Sequence, residues 1–239
     1  AVAGGGGGRG AARSKWLGGL GEEGENGEVM KPDFELAKRY VSGRLARELS
    51  PHLTYHSLRH TIDDVLPAAQ RLGEASALDD AQMLLLTTAA LFHDTGFLLA
   101  YQAHEDHSIL LARATLPDFG YHADQIEDIV DLIGATRMPQ RPRGQLQQLL
   151  CDADLDLLGR EDFMPLNRAL LSELRHYSAR PIPENVWLYD QTRFLEEHHF
   201  FTPAALALRS AGKARNLTLM RAAVASLNGT SADGYAAHA

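Results

Sequence analysis

The chain has 239 residues, and its 31 Asp and Glu against 23 Lys and Arg give a net charge of −8. This acidic balance excludes a general nucleic-acid-binding protein, which needs clustered Lys and Arg. No apolar run reaches the roughly 18 to 20 residues of a membrane span, and the single cysteine, Cys151, excludes both a disulfide framework and a thiolate zinc cluster. A hydrophobic content of 45% suffices for one core, so these features predict a cytoplasmic globular protein.

Glycine is concentrated at the start of the chain, where 11 of the 21 glycines fall within the first 29 residues. Such sequence buries too little apolar surface to offset the entropy of ordering, so we expect residues 1–29 to form a disordered extension. The extension lacks the apolar segment of a secretory signal. We expect one folded domain over residues 30–228 and a flexible tail over residues 229–239.

Nearly every segment after the glycine-rich start has the apolar spacing of a helix. The first helix is predicted to begin after Pro32-Asp33. The second follows Thr54, contains Pro67, which should kink it, and ends at Gly73. The third, AQMLLLTTAALF after Asp79-Asp80, is apolar on almost all sides, which predicts a helix buried around most of its circumference.

The remainder of the chain continues this pattern, with helices bounded by Gly, Pro or polar turns. They are predicted over residues 105–115, 123–136, 145–158, 162–177 and 184–199, and from Thr202-Pro203 toward residue 227. No segment shows the alternation of apolar and polar residues that marks a strand. The sequence therefore predicts an all-α protein.

Seven of the eleven histidines lie between His52 and His122, among carboxylates that sit in apolar sequence. His93-Asp94 directly follows TTAALF, where a charged carboxylate is costly unless it is paired or binds a metal. A neutral histidine beside a helix-capping aspartate would explain this pair equally well.

Two further segments carry potential ligands. His56 and His60 are four residues apart and share one helix face, although surface helices often carry such pairs. In LLCDADLDLLG, three aspartates alternate among leucines, namely Asp152, Asp154 and Asp156. On a continuous helix the first and third share a face and the second points elsewhere, so at least one should face the interior unless the segment is an acidic flank.

Three distant segments thus deliver imidazole or carboxylate groups into apolar helices. Nitrogen and oxygen ligands without thiolates suit a divalent metal such as Mn, Mg, Co, Zn or Fe. Taken in order, YHSLRHT (55–61), AALFHDTG (89–96) and LLCDADLDLLG (149–159) resemble the H…HD…D signature of the HD-domain metal-dependent phosphohydrolase superfamily. The resemblance extends over residues 35–220, is strongest to an uncharacterised bacterial branch, and implies an HD-domain helical bundle.

The resemblance also implies residue roles. The implied metal ligands are His60, His93, Asp94 and Asp154, and Asp152 becomes a structural carboxylate. His56 matches the general acid of the related cyclic-nucleotide phosphodiesterases, so it would protonate the leaving group. Asp94 would orient the attacking water in addition to binding the metal.

Further polar residues follow the HD pair. Glu105 is a predicted general base, and His104 is the nearest histidine that could help to hold a second metal, although we expect one. Arg137 and Arg141, in a Pro-rich loop, and Arg59 are predicted to bind a substrate phosphate because a guanidinium makes bidentate contacts with phosphate. A polar surface loop would explain the two loop arginines as well.

The resemblance implies a metal-dependent phosphohydrolase that cleaves a nucleotide or another small phosphate mono- or diester with metal-activated water. Thr95-Gly96-Phe97 stands where alarmone hydrolases carry an acidic pair, which disfavours that activity. We expect a small phosphorylated substrate, no nucleic acid or membrane partner, and a homodimer as the default for a soluble bacterial enzyme. Two alternatives stay open: a di-iron oxygenase on the HD fold, and a non-catalytic ligand-sensing HD domain.

Overall fold

The computed structural model describes residues 31–233, so the predicted extension over residues 1–29 lies outside the described residues. Within this range the backbone forms nine α-helices joined by short π and 3-10 segments, without a strand, which confirms the all-α prediction. None of these helices is both long enough and apolar enough to cross a membrane. In chain order the helices are α1 (Phe34–Glu48), α2 (Leu66–Ala75), α3 (Asp80–Phe92), α4 (His104–Thr115), α5 (Ala123–Ala135), α6 (Gln145–Asp154), α7 (Phe163–Tyr177), α8 (Glu184–Glu197) and α9 (Pro203–Asp233).

Helix α3 forms the centre of the core, as its all-round apolar sequence predicts. Its second half, residues 86–92, is buried throughout, and α1, α2, α5 and α6 pack around it. Asp79 fixes the beginning of the helix, because its carboxylate accepts a 2.8 Å hydrogen bond from the Gln82 backbone amide, while its own backbone amide donates to Gln82 Oε1 at 3.2 Å. The far end of this buried helix delivers His93 and Asp94.

The second predicted helix begins later than its sequence suggests. Residues 54–57 form bends, and a π-helical segment, His60–Val65, leads into α2, which continues past Gly73 to Ala75. The prediction that Gly73 ends the helix is therefore wrong by two residues. The irregular segment lies immediately before Pro67, which cannot donate an amide hydrogen to a regular helical turn. Such π-helical segments often occur at functional sites, and this one begins with His60.

Helix α6 ends at Asp154, earlier than predicted, and a 3-10 segment over Asp156–Gly159 follows. The predicted continuous helix over residues 145–158 is therefore wrong, but Asp152 and Asp156 still share a side of the segment, because both contact α9 or the residues just before it. Asp154, at the end of α6, faces the predicted metal ligands.

The two other aspartates of this segment hold the last helix, α9. Asp152 is fully buried and accepts three hydrogen bonds at the start of α9, from the Phe201 amide at 2.8 Å, the Thr202 amide at 2.8 Å and the Thr202 hydroxyl at 2.6 Å. Asp156 accepts two hydrogen bonds from the Arg209 guanidinium, at 2.6 and 2.7 Å. Asp152 is thus the structural carboxylate that the resemblance implies.

A glycine pair lets α9 lie directly on the 3-10 segment. A Cβ atom on Gly212 would lie 1.9 Å from the carbonyl oxygen of Gly159, which no real contact allows. Helix α9 also packs against α8 and continues to Asp233, so residues 229–233 of the predicted tail are helical. Residues 234–239 of that tail lie outside the described residues.

Candidate metal centre

The four predicted metal ligands converge on one point. His60 Nε2 and His93 Nε2 each lie 3.5 Å from Asp154 Oδ1. The same two nitrogens lie 3.5 and 3.2 Å from Asp94 Oδ2. His60, His93 and Asp154 offer one ligand atom each, and these atoms all lie within 4.8 Å of one another. Residues from the π-helical segment, the end of α3 and the end of α6 therefore meet as one group.

The atoms that face this point have no hydrogen-bond partner. His60 Nε2, His93 Nε2 and Asp94 Oδ2 are buried and unpaired among the described residues. The other ring nitrogen of His93, Nδ1, lies 2.8 Å from the Ala90 carbonyl oxygen. Nδ1 must donate in that bond, so Nε2 carries the free lone pair of the neutral ring. Leaving three buried polar atoms unpaired is costly, and a cation between them would satisfy all three.

The electrostatics of the group also favour a positive charge at its centre. Burial alone lowers the pKa of His93, but the carboxylates of Asp94 and Asp154 outweigh it and hold this pKa well above its usual range. Burial alone raises the pKa of Asp94, but the charges of His93, His56 and His60 and a hydrogen bond from His93 together lower it more, so the net shift is downward. Two imidazoles and two carboxylates suit a borderline or hard divalent cation, and these four residues fit such an ion.

Cys151 is not part of this donor set. Its side chain is buried, and its Sγ donates a 3.2 Å hydrogen bond to the Ala135 carbonyl oxygen. Burial also raises the pKa of the Cys151 thiol well above its ordinary value, so the thiol stays protonated. Within residues 31–233 the centre is therefore built from nitrogen and oxygen ligands alone.

His56 is held against the centre by a carboxylate that our sequence reasoning missed. Its Nδ1 makes a short hydrogen bond to Oε1 of the fully buried Glu173 on α7. The other oxygen, Oε2, accepts the backbone amides of Tyr55 and His56 at 2.9 and 3.0 Å, and the Tyr101 hydroxyl donates to Oε1 at 3.3 Å. Glu173 thus fixes both the ring and the backbone of His56.

Glu173 also contributes to the pKa of His56. Burial lowers the pKa of His56, but the hydrogen bond to Glu173 and the charge of Asp94 raise it more, so the net shift is upward. The ring stacks on Phe97 with centroids 4.6 Å apart. Because Nδ1 is bound to Glu173, Nε2 is the ring nitrogen left for a ligand in the cavity that His56 lines. No sequence signal marks Glu173, because a hydrogen bond between residues 117 positions apart has no periodicity.

A second carboxylate group lies on the other side of Asp94. Asp94 Oδ1 is 3.5 Å from His104 Nε2, and this nitrogen is 3.6 Å from Glu105 Oε1. Gly96 allows the segment after the HD pair to pack closely on α4. A Cβ on Gly96 would lie 1.8 Å from the His104 carbonyl oxygen, and the Gly96 amide donates to Ser108 Oγ at 2.8 Å. The predicted residues His104 and Glu105 thus flank Asp94, where they would line a second cation position.

A cavity of about 220 Å³ opens on this centre. Its polar end is formed by predicted site residues, namely His56, Asp94, His104, Glu105 and Asp154, and the remainder of its wall is mostly apolar. His60 and His93 lie behind this wall, 4% and 1% exposed. The cavity therefore reaches the carboxylate side of the metal centre.

The three arginines predicted to bind phosphate lie outside this cavity. Arg59 Nη2 donates to Asp162 Oδ2 at 2.9 Å, and Arg137 Nη2 donates to Asp106 Oδ1 at 2.5 Å. Arg141 lines a separate surface groove together with Arg137. Surface carboxylates close in space hold two of these guanidinium groups away from the centre, so their positions do not support the predicted contact with substrate.

Comparison with known proteins adds one solved structure. No protein-family model and no curated protein matches the sequence. The chain is similar to the crystal structure of a predicted HD superfamily hydrolase from an uncultured Thermotogales bacterium, with 21% sequence identity and a TM-score of 0.46. The likeness covers 70% of this chain and 88% of that chain. At this level of similarity the assignment of the site rests on its own geometry.

Proposed function

We propose that this chain is a metal-dependent hydrolase of small phosphoesters. The observation that carries the proposal is the convergence of three unpaired buried atoms, His60 Nε2, His93 Nε2 and Asp94 Oδ2, with Asp154 at the end of a cavity. The H…HD…D motif that supplies these residues resembles phosphohydrolases. His56, the motif's predicted general acid, lines the same cavity.

His60, His93, Asp94 and Asp154 would hold the metal. A divalent cation supplies Lewis-acid chemistry: it makes water a better nucleophile near neutral pH and stabilises negative charge on a phosphoryl oxygen. The protein orients the histidines for this task, since the Ala90 carbonyl fixes the tautomer of His93.

The chain's own residues supply the proton transfers. The second oxygen of Asp94, Oδ1, faces the cavity side toward His104, where it would accept a hydrogen bond from the attacking water. Glu105, 9% exposed, is the further carboxylate able to accept the water proton. His56 would donate from Nε2 to the leaving oxygen, and Glu173 would stabilise the imidazolium until that proton is transferred.

One observation favours the alternative function of a di-iron oxygenase: His104 and Glu105 lie beside Asp94 Oδ1. A second cation there would have one histidine and two carboxylates. No other histidine apart from His56 lines the cavity within residues 31–233, and Glu173 already engages His56. The donor set therefore favours hydrolysis over iron-dependent oxidation.

Metal reconstitution tests the proposed function. Metal-free protein loaded with Mn, Mg, Co, Zn or Fe should hydrolyse p-nitrophenyl phosphate or bis-p-nitrophenyl phosphate with at least one of these ions. Oxygen consumption by the iron-loaded protein, without phosphoester hydrolysis under any metal, would contradict the proposal and support the oxygenase. Tight metal binding without either reaction would support the ligand-sensing alternative.

Replacing Glu173 with glutamine should slow hydrolysis of phosphoesters that have a poor leaving group. An amide at this position either turns its NH2 group toward His56 or keeps its oxygen there and loses the backbone amides, and in both cases the imidazolium loses the negative charge that stabilises it. We expect kcat for an alkyl phosphate to fall about 100-fold, whereas p-nitrophenyl phosphate, whose leaving group needs no proton, should change little. Steady-state kinetics with both substrates measure this.

Tyr101→Phe is the matched control, because it removes only the 3.3 Å hydrogen bond to Glu173 Oε1. It should leave the rates with both substrates nearly unchanged. Equal losses for alkyl and p-nitrophenyl phosphates in Glu173→Gln would instead indicate that Glu173 only supports the fold.

A further inference from the structure

The wall of the cavity opposite the metal centre is apolar. Consecutive elements build it, from the end of α6 through the 3-10 segment to α7 and α8. Its aliphatic and aromatic side chains are Leu155, Leu157, Leu158, Phe163, Leu170 and Phe194. Phe163 is fully buried and Leu158 is 3% exposed, so the wall is a continuation of the hydrophobic core. A group bound against it would lose its contact with water.

The cavity is also small. Its volume of about 220 Å³ lies below the ~300 to 1,000 Å³ of ordinary small-molecule sites. A compact group such as one or two fused rings would fill it. A nucleoside carrying a chain of phosphates would extend beyond it.

The charge of the cavity allows for one phosphate group. Asp94, Glu105 and Asp154 are its acidic residues, and no Lys or Arg from residues 31–233 lines it. The nearby Arg160 is occupied, since its guanidinium donates to Asp64 and Asp162. A divalent cation would offset two of the carboxylates and bind one phosphoryl group. Each further phosphate would face the apolar wall as an uncompensated charge, which is costly.

One hydrogen-bond donor interrupts the apolar wall. Trp187 Nε1 donates to Asn167 Oδ1 at 2.8 Å, and Asn167 Nδ2 donates to Gln191 Oε1 at 2.7 Å. This chain fixes the orientation of both amides. Gln191 lines the cavity, and because its Oε1 is engaged by Asn167, its Nε2 is the amide atom left as a donor, without a protein partner among the described residues. The wall can therefore recognise one oxygen on an otherwise apolar group.

We infer that the substrate is a phosphoester with a single phosphate whose organic part is compact, apolar and uncharged. This inference rests on the proposed hydrolase function and narrows its substrate class. It excludes nucleoside di- and triphosphates as the preferred substrates. It also assigns Leu170 and its neighbours on the wall a role in substrate specificity.

Substrates that differ only in the organic part test the inference. The metal-loaded chain should hydrolyse benzyl phosphate with a kcat/KM at least about tenfold above that for glycerol 3-phosphate, because burial of the ring favours binding. Its kcat/KM for a nucleoside triphosphate should be lower still. A preference for glycerol 3-phosphate or for the triphosphate over benzyl phosphate would overturn the inference while leaving the hydrolase function intact.

A charge placed on the wall should change this preference. Leu170→Lys is expected to lower kcat/KM for benzyl phosphate about tenfold. The ratio of kcat/KM for benzyl phosphate to that for the nucleoside triphosphate should therefore decrease. The matched control is Leu110→Lys, since Leu110 is 59% exposed and lies away from the cavity. Equal effects of the two substitutions would contradict a role of the wall in specificity.

Binding of 2-naphthol to metal-free protein gives a readout that does not depend on catalysis. Fluorescence titration should show saturable binding to the wild type and to Leu110→Lys, and at least about tenfold weaker binding to Leu170→Lys. Absence of saturable binding to the wild type would overturn the inference. Absence of hydrolysis with every metal and phosphoester would instead overturn the proposed function, so the two failures are distinguishable.

Discussion

Asp154→Asn is expected to abolish metal-dependent hydrolysis and metal-dependent thermal stabilisation together. Asp154 Oδ1 lies 3.5 Å from both histidine nitrogens of the centre, so its charge would help to hold the proposed cation. Oδ2 accepts a hydrogen bond from Gln140 at 3.2 Å, which an amide oxygen can also accept. The substitution therefore removes a ligand charge and preserves the local packing.

The expected magnitudes are large for both readouts. Loss of a ligand should lower kcat/KM at least ~1,000-fold, because the proposed metal would supply the main stabilisation of the transition state. At a metal concentration about 100 times Kd, binding stabilises the folded wild type by about 2.7 kcal/mol, and this gain should vanish in the variant. Thermal unfolding with and without Mn²⁺ measures the second effect.

Asp128→Asn is the matched control, because Asp128 lies on the exposed side of α5. It should keep both the activity and the metal-dependent rise in Tm. A full rise in Tm in Asp154→Asn would contradict the assignment of Asp154 as a ligand.

Asp152→Ala, two residues away, is expected to destabilise the fold by about 3 kcal/mol without a specific effect on metal affinity. The substitution leaves the amides of the partly exposed Phe201 and the buried Thr202 without their acceptor, and an unsatisfied buried donor costs about 1 to 3 kcal/mol. It also removes the partner of the Thr202 hydroxyl at the start of α9. Urea unfolding of the metal-free protein measures the loss.

Asp152→Asn should recover part of this stability, since its amide oxygen still accepts hydrogen bonds. Loss of metal binding in Asp152→Ala with normal stability of the metal-free protein would contradict its structural role. That result would assign the role of metal ligand to Asp152 instead of Asp154. Comparison of variants at Asp152 and Asp154 therefore distinguishes a residue that anchors α9 from a residue that binds the metal.

The fold and part of the candidate metal centre leave local patterns in the sequence. Continuous apolar sequence predicts a buried α3, and the structure confirms that it is buried. The HD pair directly follows that helix, so its polar groups had to face the interior with partners. His60 and Asp154 depended on the family resemblance, because periodicity alone could not choose between His56 and His60 or among the three alternating aspartates.

Features formed by contacts between distant parts of the chain could not be predicted. Glu173 approaches His56 across 117 residues, and nothing in the sequence around it marks a buried carboxylate. The end of α6 at Asp154 could not be predicted either, because the apolar spacing of a helix continues through the 3-10 segment that follows it. The phosphate-binding role expected of Arg59 and Arg137 follows from their chemistry, but surface ion pairs determine where these side chains lie.

The metal content of the purified chain tests the central claim most directly. After equilibrium dialysis against Mn²⁺, elemental analysis of the wild type should show at least one tightly bound ion per chain. The double variant Asp94→Ala, Asp154→Ala should bind no Mn²⁺ above the background level. That background is measured on Asp128→Asn protein from which the metal has been removed with a chelator. Full metal occupancy in the double variant would contradict the proposed centre.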